Sequence, residues 1–148
     1  MELSELYSER ILEIAGNPPD APRLAHPGAS ARKVSRLCGS VIEVDIAVED
    51  GRITGYGHEV AACALGQTSA AIVAREIVGT STAEFRRVRE EMIAMLKADG
   101  PAPAGKWADL RFLEPVRDYK PRHGSTLLVF DAIAEALDRI EARKGAAA

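Results

Sequence analysis

The hydrophobic pattern near the start of the chain has helical spacing. It predicts a helix over residues 3–15, with its apolar positions at Leu3, Leu6, Tyr7, Ile11 and Ile14. The next stretch, residues 16–29, contains four of the chain's prolines and predicts an extended arm, because proline disfavours helix at and before its own position. The segment 1–29 is therefore interpreted as an N-terminal helix followed by a proline-rich arm.

The pattern then changes to alternation. In residues 40–48 one face carries Ile42, Val44, Ile46 and Val48, which is typical of a half-buried strand. The Asp50-Gly51 pair predicts a tight hairpin leading into a partner strand over residues 52–62. Residues 31–36 predict a short first strand.

Helical spacing returns in the second half of the chain. It predicts helices over residues 64–78, 82–98, 106–113 and 124–142, with a loop at 100–105, a connector at 115–121 and a frayed tail at 143–148. This order predicts a single α+β domain over residues 1–148, with a small antiparallel three-stranded sheet and helices packed on one of its faces.

Composition narrows the functional classes. The chain has 148 residues, 47% hydrophobic and 28% charged, with a net charge of −3. The negative charge argues against nucleic acid as a partner. No apolar run approaches the length that spans a membrane, and the acidic N-terminus has no secretory h-region. With two cysteines only, a reducing cytoplasmic location without a disulfide is expected.

The candidate chemistry lies at three positions. Cys38 precedes a predicted strand, Cys63 lies where a strand gives way to a helix, and His123 precedes the last helix. Two thiols and an imidazole at the ends of regular elements can converge on a soft metal or an iron–sulfur cluster. Each has a plainer interpretation as a packing or surface residue, and the spacing matches no zinc finger. His26 and His58 are interpreted as structural.

Several motifs together resemble the U-type iron–sulfur cluster scaffold family, which includes IscU, SufU and the N-terminal domain of NifU. They are Tyr7 to Leu12 with Asn17-Pro18, Cys38-Gly39-Ser40, Asp50-Gly51-Arg52-Ile53, Cys63 with Gln67 to Ala71, Gly79-Thr80, and Arg122 to Leu127. The resemblance covers nearly the whole chain. It departs from the family at two positions, since Ser40 stands where the family has aspartate and Gly124 where it has its third cysteine.

The resemblance implies a site and a function. Cys38, Cys63 and His123 would be the ligands of a labile [2Fe–2S] cluster, or of zinc, with Ser40 as a further candidate ligand. Cys38 and Cys63 would be the sulfur acceptors, because a thiolate is the group that takes up sulfur. Since a cluster wants four ligands, a homodimer or an exogenous thiol would complete the set.

Two functions remain open at this point. The first is a non-enzymatic assembly protein that accepts sulfur from a cysteine desulfurase and passes iron–sulfur units to client proteins. The second is a metal-free or zinc-binding relative that acts as a binding or regulatory module for the assembly partners. The loss of the third cysteine is compatible with either function.

Overall fold

The computed structural model describes residues 6–147, with side chains described through residue 144. Its helices are α1 (Glu9–Gly16), α2 (Ala64–Glu76), α3 (Thr82–Lys97) and α4 (His123–Ala147), and its strands are β1 (Ala29–Ser35), β2 (Ser40–Glu49) and β3 (Arg52–Ala61). The strands form one antiparallel sheet in the order β1-β2-β3. The predicted α+β class and three-stranded sheet are confirmed.

The two hairpin turns set the register of the sheet. Ser35 pairs with Ser40 across the β1–β2 turn, so Cys38 lies on a turn whose two ends are held side by side. The β2–β3 turn has positive φ at both Asp50 (50°) and Gly51 (74°). Two successive positive φ angles are the geometry that an Asp-Gly hairpin favours, as the sequence predicted.

The hydrophobic core lies between one face of the sheet and the helices. Ile42, Val44 and Ile46 of β2 point into it, and each is at most 1% exposed. Helix α4 packs on β1 and β2, and α2 packs between α1 and α4. This packing brings the start of α4 and the start of α2 to the end of the sheet that carries the β1–β2 turn.

The proline-rich arm covers part of the opposite face of the sheet. The His58 amide of β3 donates to Ala21 O at 2.9 Å, and the Gly28 amide donates to Ile46 O at 2.8 Å. At Gly57 the arm lies so close that a Cβ would come within 2.2 Å of Pro22 O. The arm is thus joined to the sheet by backbone bonds and by a contact that only glycine permits.

Arm and sheet are also joined by a buried carboxylate. Asp45 of β2 is 1% exposed, although the alternation of the strand puts it on the face opposite Ile42, Val44 and Ile46. It accepts hydrogen bonds from Arg23 Nε at 2.6 Å, from the Leu24 amide at 2.9 Å and from Ser30 Oγ. The hydrogen bond from the Arg23 side chain is the largest influence on the pKa of Asp45. Burial opposes it, but together with the bonds from Ser30 and Leu24 it lowers this pKa to about 2.

The segment before α4 differs from the prediction. A short helix at 106–113 and a connector at 115–121 were expected, but 3₁₀ helix runs over Gly105–Asp118 and Lys120–Arg122. Trp107, Leu110, Leu113 and Val116 are all buried. With three residues per turn, positions three apart lie above one another and form one apolar stripe. The segment therefore packs as a continuous strip.

Other boundaries differ by a few residues. Helix α1 begins after its cap, Ser8, whose hydroxyl accepts from the Ile11 amide at 3.3 Å. The start of the predicted helix at residue 3 lies outside the described residues. Helix α4 begins at His123 and continues to Ala147, where a frayed tail was expected from residue 143. Among the described residues, no helix is long and apolar enough to cross a membrane.

Candidate functional site

Both cysteines lie at the end of the sheet that carries the β1–β2 turn. Cys38 is on that turn, which is closed by the Gly39 amide donating to Ser35 O at 2.8 Å. Cys63 is the N-terminal cap residue of α2. Both are free thiols and both are half-buried. Their side chains can therefore be reached from solvent while being held by the surrounding structure.

Two buried serines connect the two thiols, and a third contacts Cys38. Cys38 Sγ lies 3.2 Å from Ser35 Oγ and 3.4 Å from Ser40 Oγ. Ser40 Oγ lies 3.1 Å from Ser125 Oγ, which in turn lies 3.3 Å from Cys63 Sγ. The thiols are thus linked by a continuous chain of hydroxyl groups, and we call these five side chains the thiol–serine cluster.

The serines favour the thiolate form of Cys38. Burial by itself raises the pKa of the Cys38 thiol, but hydrogen bonds from Ser35, Ser40 and Ser125 and from the Ser40 backbone outweigh it. The net result is a pKa of about 7, compared with an ordinary value of 9.0. Since the thiolate is the nucleophile and the metal ligand, this pKa favours Cys38 for either role near neutral pH.

We expect the alkylation rate of Cys38 to follow this ionisation. In a Cys63→Ser background, the rate with iodoacetamide should be half-maximal near pH 7 and level off above it. Ser35→Ala should move the midpoint upward by about one pH unit, because it removes a hydroxyl that stabilises the anion. Ser69→Ala is the control, because this buried serine donates to Leu65 O and not to a thiol. This substitution should leave the midpoint unchanged. A midpoint that stays near 9 in the parent would contradict this account.

His123 lies at the first position of α4, two residues before Ser125. Its Nε2 is 2.9 Å from Val116 O and 3.1 Å from Arg117 O. Because both partners are acceptors, Nε2 carries the proton, and in the neutral ring Nδ1 is the unprotonated nitrogen. A carbonyl partner on one nitrogen is the usual arrangement for a histidine whose other nitrogen binds a metal.

Hydrogen-bonded serines link the two cysteines, whereas the ring of His123 bonds the carbonyls of Val116 and Arg117. Among the described residues, no three His, Cys, Asp or Glu side chains form a group that could hold a metal ion. The polar atoms between the thiols are hydroxyls, whereas structural zinc takes four ligands from cysteine, histidine and carboxylate. This donor set does not fit a resident zinc ion. The assignment of Cys38, Cys63, His123 and Ser40 as ligands stays a prediction.

The sequence reasoning missed two members of the cluster. Ser125 belongs to the motif that drew attention to His123, but only the packing of α4 on β2 shows that it joins both cysteines. Ser35 lies in the predicted first strand and carried no signal of its own. His58, interpreted as structural, lies on β3, where its Nδ1 is 2.8 Å from Tyr56 Oη and burial lowers its pKa.

Comparison with known proteins identifies the family. The model of the NifU-like N-terminal domain matches residues 6–125. The chain belongs to the NifU-like N-terminal domain family. A crystal structure of the N-terminal part of a NifU-like protein from Brucella abortus is 49% identical, with a TM-score of 0.91, and the match covers 94% of this chain and 96% of that one.

A solved structure of much lower sequence identity has the same fold. The match to a protein from Fervidobacterium islandicum, assigned as an iron–sulfur cluster assembly scaffold for the SUF system, has a TM-score of 0.82 at 17% identity. It covers 92% of this chain and 99% of that one. No curated protein sequence matches the chain significantly. The resemblance to the U-type scaffold family is confirmed.

Proposed function

We propose that this NifU-like domain is a scaffold for iron–sulfur cluster assembly, in which Cys38 and Cys63 take up sulfur and hold iron for transfer to client proteins. Membership of the family supports the general role. The observation that carries the proposal is the thiol–serine cluster, which holds two accessible thiols on one hydrogen-bonded chain and lowers the pKa of Cys38 to about 7.

The proposed chemistry needs little from the protein beyond the two thiols. A cysteine desulfurase would be the sulfur donor, and the Cys38 thiolate would be the acceptor, because an exposed thiolate is the group that attacks sulfur. Cys63 would provide the second sulfur ligand to iron. The cluster is cargo, so the domain acts as an acceptor and carrier and catalyses no turnover of its own.

The ligand set explains why a cluster held here would be labile. Even with His123 as a third ligand, the two cysteines would leave a [2Fe–2S] unit short of the four terminal ligands that it requires. Ser40 lies beside Cys38, but a neutral hydroxyl is a weaker ligand than a carboxylate or a thiolate. An incomplete set favours release to a client over permanent storage.

The test is the iron and acid-labile sulfide content of the protein after anaerobic incubation with a cysteine desulfurase, cysteine and ferrous iron. Iron and sulfide in equal amounts would support the proposal. Neither iron nor sulfide under any condition would overturn it, and the metal-free binding module would then be the function to pursue through desulfurase binding.

We further expect Gly124→Cys to increase cluster retention. A Cβ at position 124 would lie 3.1 Å from Ser35 Oγ, so a side chain there points at the thiol–serine cluster. The added thiolate should lengthen the lifetime of the bound cluster by a factor of about ten or more, as gain of a good ligand does. Absorbance decay in buffer without free thiol measures it.

The matched control for this variant is Gly124→Ala. It introduces the same contact with Ser35 and the same helix-stabilising change, but no sulfur. A lifetime that rises equally in both variants would show that packing, and not ligation, is responsible, and the expectation would then be wrong.

A further inference from the structure

The two thiols share one hydroxyl partner. Ser125 Oγ lies 3.3 Å from Cys63 Sγ, and the same hydroxyl is one of the hydrogen-bond donors to the Cys38 thiolate. Ser40 Oγ adds a second link, since it lies 3.4 Å from Cys38 Sγ and 3.1 Å from Ser125 Oγ. Two sulfur atoms that share a hydroxyl partner are separated by a short movement of either side chain.

The turn that carries Cys38 is free to make this movement. Arg36, Leu37 and Gly39 are all exposed, and Leu37 is 81% exposed. Cys63, in contrast, is held in place as the cap residue of α2. A disulfide requires its two Cβ atoms to lie about 3.5–4.5 Å apart. Because its neighbours are not held by packing, Cys38 can move to meet a Cys63 that stays in place.

The groups around the two thiols carry no negative charge. In the part of the chain that the structure describes, the sulfur atoms are bonded by the hydroxyls of Ser35, Ser40 and Ser125 and by the Ser40 backbone. Thiol–disulfide exchange begins with attack by a thiolate, so negative charge passes between the sulfur atoms. Hydroxyl donors stabilise that charge, whereas a carboxylate would repel it. These surroundings therefore favour exchange between the two cysteines.

We propose that Cys63 releases sulfide from a persulfide on Cys38 and that a disulfide between the two cysteines is the product on the protein. Cys63 Sγ attacks Cys38 Sγ, the bond from Cys38 Sγ to the outer sulfur breaks, and the outer sulfur leaves with that electron pair. The thiol proton of Cys63 goes to the leaving sulfide. The persulfide is the oxidant, because its outer sulfur is reduced while the two cysteine sulfurs are oxidised. Formation of the persulfide rests on the proposed function.

This step would give the domain its own source of sulfide. The cysteines supply the electrons, so each domain releases one sulfide in a round. The disulfide is transient, because an external thiol or dithiol reduces it and restores both iron ligands. The step is therefore stoichiometric, which agrees with a scaffold that catalyses no turnover.

The step is tested on the reduced full chain without iron. The persulfide is made with a cysteine desulfurase and cysteine, or with inorganic polysulfide, and gel filtration removes the excess reagent. In the wild type, free sulfide should appear, and mass spectrometry should show the added sulfur replaced by the loss of two hydrogen atoms, with Cys38 and Cys63 in one cross-linked peptide. Cys63→Ser should keep its persulfide and release sulfide more slowly by about tenfold or more.

The matched control is Val78→Cys in the Cys63→Ser background. Val78 is 56% exposed and lies beside the β2–β3 turn, where the adjacent Gly79 amide donates to Ile53 O of β3. The variant thus restores a second thiol at the other end of the sheet and should not recover fast release. Recovery to the wild-type rate would show exchange between molecules and would overturn the proposal.

The remaining outcomes separate this step from the scaffold function. A wild-type persulfide that persists without forming the disulfide would overturn the proposal, and iron and sulfide loading would leave the scaffold function standing. If the desulfurase forms no persulfide but a persulfide made with polysulfide is resolved as described, the proposal is supported and the role of Cys38 as acceptor from the desulfurase is wrong.

Discussion

Cys38→Ser is expected to lower the iron and sulfide retained after loading by a factor of about ten or more, because a serine hydroxyl is not a thiolate nucleophile and is a poor ligand for iron. The substitution changes little else, since the side chain is half-buried and its neighbours are already hydroxyls. Far-ultraviolet circular dichroism should therefore match that of the parent, and the iron and sulfide assays measure the loss.

Cys63→Ser is the matched comparison. It removes a ligand but leaves the Cys38 thiolate, so persulfide should still form on Cys38 while cluster retention falls. Mass spectrometry after incubation with the desulfurase and cysteine separates the two effects. If both variants kept the iron and sulfide of the parent, the thiols would not be the site and the proposed function would be wrong.

Asp45→Ala is expected to lower the free energy of unfolding by about 2–4 kcal/mol, because hydrogen bonds to a charged group are worth about 1.5–3 kcal/mol and three groups of the arm and β1 depend on this carboxylate. Without it, Arg23, Leu24 and Ser30 lose their shared partner. Urea unfolding measures the change. Glu43→Ala is the control. Its half-buried carboxylate lies 3.1 Å from Arg23, and because solvent weakens this ion pair, the substitution should cost under about 1 kcal/mol.

The low pKa of Asp45 predicts that the free energy of unfolding depends on pH. Because folding lowers the pKa of Asp45 from 3.8 to about 2, its contribution to stability is present in full above pH 3.8 and is lost as the pH falls through 2. The shift corresponds to about 2 kcal/mol. The stability difference between the parent and Asp45→Ala should therefore shrink between pH 4 and pH 2. A difference that stays constant over that range would contradict the assignment.

The regular elements could be predicted because their signals are local. The alternation of Ile42, Val44 and Ile46 identified β2, and Asp50-Gly51 identified the hairpin, since both depend only on neighbours along the chain. The 3₁₀ segment was harder to predict. Its stripe of buried residues at every third position resembles a broken helical pattern, and only packing against α3 distinguishes the two.

The sequence by itself determined the α+β class and the family resemblance, and it singled out the two cysteines as candidates for the chemistry, because each of these signals is carried by residue types at short spacing. The tertiary structure decided the rest. Ser35 and Ser125 reach the thiols from separate elements that meet only when the helices pack. Asp45 is buried because the arm folds back over the sheet. The local pattern of polar and apolar residues does not show which distant segment of the chain will cover a given position.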